Sequence, residues 1–343
     1  MRNLLNTLFV TSQGAYLRKE GESVVVSVER QDRLRMPLLS LNGIVCFGQV
    51  SCSPFLMHAC ADGNVAISFL SENGRFLARV LGPTSGNVLL RRQQYRRTDC
   101  KEDKAGTIRA ILAAKIGNER RVLLRGLREH ADKIDAEKVS AVERRLGKML
   151  ERLAQRAEPD ELRGMEGDSA KNYFAALDAL ITVQKDMFFF VKRTRRPPRD
   201  NLNCLLSFLY TLLLHDVRSA VESVGLDPQV GFLHEERPGR PGLALDLIEE
   251  FRAPFADRLA LSLINRQQVR AAGFKTDGVG GVTMDDATRK TVLAAYQKRK
   301  QAEIEHPFLR EKMQIGLLFH VQAQLFARYI RGELDGYPPV FWR

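Results

Sequence analysis

The sequence predicts an α+β chain, with a small, mainly β N-terminal domain over residues 1–86 and a larger all-α domain over residues 87–343. Three observations carry this. Up to about residue 81 the apolar residues come in short alternating runs broken by Gly and Asn-Gly, the period of half-buried strands. Gly82-Pro83-Thr84-Ser85-Gly86 then has the composition of a linker, and beyond it the apolar period changes to 3.6. A length of 343 residues is also more than one hydrophobic core usually serves.

In order, strands are expected at residues 7–11, 15–18 and 23–29, with Gly14 and Glu20-Gly21 as turns, and at 34–38 and 44–47 on either side of Asn42-Gly43. Ser53-Pro54 opens a short helix through Cys60, with Pro in the first turn, where its missing N–H is not needed. Runs 65–70 and 75–81 meet at Asn73-Gly74, a hairpin signal. Helices follow at 88–97 (bearing Arg91, Arg92, Arg96 and Arg97), 108–116, 138–153, 161–177 and 177–191, the last stopped by Pro197-Pro198. Asp200 or Asn201 caps a very apolar helix through Leu205, Leu209 and Leu213. Further helices are expected at 243–251, at 287–300 behind the caps Asp285/Asp286, and at 308–330. The Gly-rich stretch 276–286 lacks the Gly-Lys-Ser/Thr ending of a phosphate loop and reads as a hairpin or loop. The tail after Gly336 is apolar and is expected to pack against the body.

Charge bounds the partners. Fifty-three Lys and Arg against 41 Asp and Glu leave +12, which favours a polyanion, nucleic acid before an anionic membrane. No run of eighteen apolar residues and no basic amphipathic helix with a Trp/Phe face points to a membrane, so a cytoplasmic protein is expected. Five cysteines without a CxxC pair read as reduced small hydrophobes, not a zinc site or disulfide frame.

The chemistry concentrates in residues 230–252, VGFLHEERPGRPGLALDLIEEFR. His234 precedes a Pro/Gly turn, and a helix after it presents Asp246 and Glu249 three residues apart on one face, opposite Leu243, Leu247 and Phe251. Imidazole nitrogen with carboxylate oxygen suits a hard divalent cation; a hydrogen-bonded His beside solvated acids is the competing reading. Glu166, on the 161–177 helix, lies between Gly164 and Gly167. Each Gly costs a helix about 1 kcal/mol against Ala, so something is expected to approach the backbone there. Ala170, Phe174 and Leu177 form that helix's expected buried side. Lys192, Arg193, Arg195, Arg196 and Arg199 sit on one loop, either solvated or contacting phosphates. Asn203 and Tyr210, seven residues apart on one helical face, line the site or are simply buried. Arg237 and Arg240 are candidates for substrate phosphates, and Asp246 for orienting His234 or a metal-bound water, or for a fourth metal contact. His58, His130, His215, His306 and His320 are assigned to structure.

These stretches carry a resemblance. LLNTLFVTSQGAYL (4–17), GIVCFGQVSCSP (43–54), ENGRFLARVLGPTSGNVLLRRQQYRR (72–97), the Glu166 segment, RRPPRDNLNCLLSFLYTLL (195–213), GFLH (231–234), LALDLIEEFR (243–252) and YPPVFWR (337–343) run in order through the chain. It resembles the CRISPR adaptation nuclease–integrases, the "Cas one" family, in the form that accompanies type I-C systems. The resemblance implies that Glu166, His234 and Glu249 bind the metal and carry catalysis, with Glu249 where the family often has Asp. It also implies insertion of short double-stranded DNA fragments into an array, a homodimer formed through the β domain, and a small dimeric partner, the "Cas two" protein. Mixed oxygen and nitrogen ligation suits Mn2+ or Mg2+. The alternative is a non-catalytic DNA-binding scaffold or regulator with a relic metal site, which the intact Glu/His/Glu set disfavours.

Overall fold

The N-terminal strands form two sheets in the computed structural model, which describes residues 7–82, 88–155 and 158–342. Strands β1 (Thr7–Val10), β2 (Tyr16–Glu20), β3 (Ser23–Val28), β4 (Gln31–Pro37) and β5 (Gly43–Phe47) are followed by β6 (Ser51–Cys52), helix α1 (Pro54–Asp62), β7 (Ala66–Leu70) and β8 (Phe76–Val80). One sheet runs β4-β3-β2-β6; the other runs β1-β5-β7-β8, with β1, β5 and β7 parallel. Ser53 caps α1 by accepting from the Leu56 N–H at 3.2 Å, and Asn73-Gly74 closes the β7–β8 hairpin as expected. Gly74 is required twice there. Its φ is +82°, and a Cβ would come 2.5 Å from the Phe208 ring.

Strand β5 is buried along its whole length. Its side chains alternate: Ile44 and Cys46 enter the core shared by the two sheets, while Val45 and Phe47 enter the core of the helical region. That two-sided burial is why its sequence is a continuous apolar run. The Phe47 and Phe208 rings lie 5.8 Å apart across the junction, and Ser68 Oγ bonds His215 Nδ1 at 2.9 Å. Residues 83–86 of the expected linker lie outside the described residues.

The second region is built from α2 (Val88–Asp99), α3 (Lys101–His130), α4 (Ala136–Leu153), α5 (Pro159–Leu177), α6 (Asn201–Ser223), α7 (Gly242–Phe251) and α8 (Arg258–Asn265). Hairpin β9 (Phe274–Thr276)–β10 (Val282–Met284), α9 (Asp286–Gln301), hairpin β11 (Glu303–Glu305)–β12 (Lys312–Gln314) and α10 (Ile315–Arg331) complete it. The two hairpins make it mainly rather than wholly α. The second also delays α10 to Ile315 instead of residue 308, because buried His306 holds the turn. Its Nδ1 accepts from the Phe308 and Leu309 N–H groups at 3.2 Å, and its Nε2 pairs with Gln322 at 2.8 Å.

Two further expectations change. The helix expected over 108–116 is the middle of the thirty-residue α3; buried Lys115, Asn118 and Glu119 interrupt its apolar stripe and hide its length. No helix spans 177–191. After a 3-10 turn at Asp178–Leu180 the chain is irregular to residue 200. Phe188 is buried and Phe190 stacks on Phe174 at 5.0 Å, while Phe189 and Val191 are exposed, a period of two. Helix α6 is long and apolar enough to cross a membrane by length and composition alone. It is instead a core helix, capped by Asp200 and packed on α7 and α10. All five cysteines are free.

The C-terminal segment packs as expected, with Tyr337, Val340 and Trp342 buried. Asn118 donates to Glu250 O and Val340 O, both at 2.8 Å, and accepts from the Trp342 N–H at 2.8 Å. Glu250 accepts from Val340 N–H at 2.7 Å, Gln322 Nε2 at 3.0 Å and the Tyr337 hydroxyl. Glu250 therefore anchors the tail and takes no part in the site formed by its neighbour. Glu250→Ala leaves the Val340 N–H and the Tyr337 hydroxyl without an acceptor and is expected to cost about 2 kcal/mol, read as a lowered denaturant midpoint at unchanged slope. A change under about 0.5 kcal/mol would remove the anchor role.

Candidate metal centre

Three helices converge on one cleft, and a loop adjoins it. Helix α3 supplies Lys115 and Glu119, α5 supplies Glu166 and α7 supplies Glu249, while His234, in the segment before α7, stands beside Glu249 without lining the cleft. Lys115 is ion-paired with Glu166 and with Glu249 Oε2, the latter at 3.1 Å. His234 Nε2 lies 3.9 Å from Glu249 Oε1. The structure thus joins Glu166 and Glu249 through a buried ammonium and sets His234 beside Glu249.

Asp246 is what shapes the His234 loop. Its Oδ2 accepts from the Phe232 and Leu233 N–H groups at 2.5 and 3.1 Å, and its Oδ1 from the His234 N–H at 2.9 Å. Oδ1 also meets His234 Nδ1 at 2.7 Å. A carboxylate can only accept, so Nδ1 carries a proton and Nε2 is the ring nitrogen toward Glu249. The loop can lie against the start of α7 only because two residues lack side chains. A Cβ on Gly231 would stand 2.8 Å from Asp246 Oδ2, and one on Gly242 would stand 2.7 Å from Gln229 O. Gly164 and Gly167 differ: a Cβ on either meets no atom within 4 Å, so packing does not require them.

The electrostatics turn on Glu249, which is 1% exposed. Burial would push its carboxyl up, but Arg252, Lys115 and His234 outweigh that and hold it down at about 2. Arg252 Nη1 stands 2.5 Å from Oε1. Burial likewise works against the Lys115 ammonium, and Glu249, Glu166 and Glu119 overcome it, raising it above its ordinary value. Glu119 bonds Ser169 Oγ; burial raises it to about 7, against the pull of Lys115.

A second layer closes the cleft. Residues Arg252–Asp257 form a π-helical turn, a distortion often found at functional sites. Asp257 accepts from Tyr210 at 2.5 Å and Tyr173 at 3.0 Å, and burial raises it to about 6 despite those bonds. The Tyr210 ring lies between two guanidinium groups, Arg193 at 5.4 Å and Arg252 at 5.2 Å. Tyr173, with Leu162, Ser169, Ala176 and Leu177, makes the buried side of α5. Ala170 and Phe174, expected there, are half-buried and line the cleft.

The basic loop divides. Arg193 and Arg195 line the cleft, whereas Lys192 and Arg196 are exposed, and Arg199 donates to Val279 O at 2.6 Å on the β9–β10 turn. Asn203 does not reach the cleft. It is fully buried and holds the loop, bonding Arg193 Nη1 at 2.7 Å, Thr194 N–H at 3.2 Å and Lys192 O at 2.8 Å. Arg237 is exposed on a surface hollow with Gln229 and Pro238, and neither it nor Arg240 lines the cleft. Sequence reasoning missed Lys115, Glu119, Arg252 and Asp257. The available signal was a Lys and a Glu four residues apart inside an otherwise apolar helical run.

As placed, no three His, Cys, Asp or Glu side chains among the described residues enclose an ion, because the Lys115 ammonium stands between Glu166 and Glu249. The donor set nevertheless fits a divalent cation. Both oxygens of Glu249 are buried and held by the Lys115 and Arg252 cations, His234 Nε2 lies 3.9 Å from Oε1, and Glu166 is the partly exposed member. Two carboxylates and an imidazole are hard to borderline donors, without thiolate.

The family described as "CRISPR associated protein Cas1" matches residues 8–298. The chain is 55% identical over all 343 residues, and over the whole of the relative, to "CRISPR-associated endonuclease Cas1 1" of Chlorobaculum tepidum. Its fold matches "Casposase bound to integration product" with a TM-score of 0.84 at 20% identity, covering 98% of this chain and 94% of the other. It also matches a chain of a "Cas6-RT-Cas1--Cas2 complex" with a TM-score of 0.83 at 20% identity, covering 98% of this chain and 36% of that one.

Two substitutions test the geometry by metal binding, with Mn2+ titrated calorimetrically. Asp246→Ala frees His234 and is expected to weaken binding about 10- to 100-fold. Lys115→Met is expected to tighten it by about tenfold or more, roughly 1.4 kcal/mol, since the cation no longer displaces a buried ammonium. Weaker binding by Lys115→Met would instead make Lys115 a support of the ligand set.

Proposed function

The chain belongs to the Cas1 family of CRISPR associated proteins, and from that premise we propose a metal-dependent DNA endonuclease and integrase with its centre at Glu166, His234 and Glu249. It inserts short DNA fragments into a CRISPR array by phosphodiester cleavage and transesterification. One observation carries the assignment of the centre: an ionised, wholly buried Glu249 lies 3.9 Å from His234 Nε2 and shares the Lys115 ammonium with Glu166.

A bound Mn2+ or Mg2+ supplies Lewis-acid polarisation of the phosphodiester and lowers the pKa of an attacking oxygen. The chain's own residues do the rest. Asp246 holds His234 through Nδ1, which leaves Nε2 as the nitrogen turned to Glu249 and available to a cation. Arg252 and Lys115 offset the carboxylates, keeping the cleft attractive to a phosphate. Arg193 and Arg195 stand at its mouth, where guanidinium groups position a phosphodiester without reading sequence. Asp257 fixes the Tyr210 hydroxyl, and with it the ring that spaces Arg193 from Arg252. Water as nucleophile gives cleavage; a DNA 3′-hydroxyl in the same place gives strand transfer.

The wider assembly belongs to the same reading. Double-stranded DNA suits the +12 charge. A small dimeric Cas2-type partner is supported by the Cas6-RT-Cas1--Cas2 complex, one chain of which shares this fold. Residues 1–86 serve as the dimerisation domain of a homodimer; exposed Leu39, Phe76 and Leu77 lie there. The full-length run of matching motifs supports the type I-C form and a cytoplasmic location. The scaffold reading is not favoured, because Glu166, His234 and Glu249 are all present and linked through Lys115 and Glu249.

EDTA is expected to abolish cleavage and strand transfer while circular dichroism shows the fold intact. His234→Ala is expected to lower metal-dependent cleavage at least 100-fold, about 2.7 kcal/mol of transition-state stabilisation, with duplex binding retained in a gel shift. Cleavage by His234→Ala within about threefold of wild type would show that His234 holds no metal.

A further inference from the structure

Asp257 lines the metal cleft, and the next residue, Arg258, lines a different cavity of about 720 Å3. Its walls come from the C-terminal half of α3, from α8 and from Arg299 of α9. Arg125, Arg258, Arg266 and Arg299 converge there with Lys133, against a single lining carboxylate, Glu129. Glu129 is already engaged by Arg125 Nε at 2.9 Å and by Arg128 at 3.7 Å.

Arg299 is the fixed member. Its Nη2 donates to Pro254 O at 2.6 Å, its guanidinium lies 5.5 Å from the Phe255 ring centre, and its Nε is buried without a partner. Burial, then Arg258 and Arg125, pushes Arg299 down to about 10; burial and Arg125 also lower Arg258. Like charges crowded beside one engaged acid repel each other and leave guanidinium donors to spare, which is the demand an anion meets. Thr182, Ser262 and Asn265 add polar groups to the same wall.

We propose that this cavity is a second phosphate-binding pocket, which holds the backbone of the DNA engaged at the metal centre. The choice of DNA rests on the nuclease–integrase reading; the choice of a phosphate rests on the arginines alone. Lys115 and Arg125 are ten residues apart on one continuous helix, about 15 Å. That span is on the order of four base-pair rises of a duplex, so one DNA molecule can reach both places.

The test uses the full chain with Mn2+, and the variants Arg258→Gln/Arg299→Gln and Arg266→Glu, the last at an exposed position that spares the packing. Anisotropy of a labelled duplex across a salt series is expected to lose roughly 1.8 in log–log slope in the double variant, 0.9 per contact, and affinity in Arg266→Glu. Hydrolysis of bis(p-nitrophenyl) phosphate, too small to reach from cleft to pocket, is expected to stay within twofold of wild type. Tripolyphosphate is expected to raise the melting temperature of wild type but not of the double variant, and saturating duplex to abolish that shift. Unchanged DNA binding in both variants overturns the proposal. A tripolyphosphate shift that survives saturating duplex makes the pocket a free-anion site and overturns the DNA assignment. A wild type that neither binds duplex nor cleaves the small ester overturns the nuclease–integrase reading, and the DNA assignment with it, while tripolyphosphate still reports on the arginines.

Discussion

One buried charge organises the centre of this molecule. A carboxylate with 1% exposure would ordinarily neutralise itself; Glu249 stays ionised because Arg252, Lys115 and His234 surround it. Each of those partners then imposes its own requirement. Lys115 is fully buried and needs a rigid helix and a second carboxylate, which α3 and Glu166 provide. Arg252 opens a π-helical turn that swings Asp257 back toward Tyr173 and Tyr210. His234 needs a fixed ring orientation, and Asp246 supplies it. Buried ion pairs are weak contributors to net stability, so this arrangement is better understood as holding a high density of fixed charge in place.

Asp246 shows how local backbone and site chemistry are joined. The same carboxylate that fixes the imidazole also accepts three consecutive backbone N–H groups of residues 232–234. Those donors belong to a segment with neither helix nor strand, and without Asp246 they would be buried unpaired. Gly231 and Gly242 permit the close approach that makes the bonds possible. Loop fold and imidazole orientation are therefore set by one side chain.

What was legible in the sequence follows from what obeys a period. The strands of the first region, the Ser53 and Asp200 caps, the Asn73-Gly74 hairpin and the apolar face of α7 all obey local rules, and the structure has them. Residues 108–116 and 177–191 were read wrongly where tertiary demands broke the period. In α3, Lys115, Asn118 and Glu119 point inward because they serve the site and the C-terminal tail. In 181–191, the aromatics alternate faces across a non-helical strap. His234, Asp246 and Glu249 were legible because they lie within sixteen residues of each other beside a turn. Glu166 was singled out by its flanking glycines and joined to those three by the family resemblance, since nothing local does so. Lys115 and Asp257 were invisible for a related reason: their partners lie on other helices.

Strand β5 has a further consequence. Because alternate residues of one five-residue strand belong to two different hydrophobic cores, neither core can be completed while the other is open. Loss of β5 would expose both at once, so the sheets and the helical body melt as one cooperative unit rather than as separable modules. Amide exchange would report this as a common opening free energy for β5 and α6. The first eighty or so residues, cut from the rest, would leave Val45, Phe47 and Leu70 facing water as a sticky, unsatisfied surface.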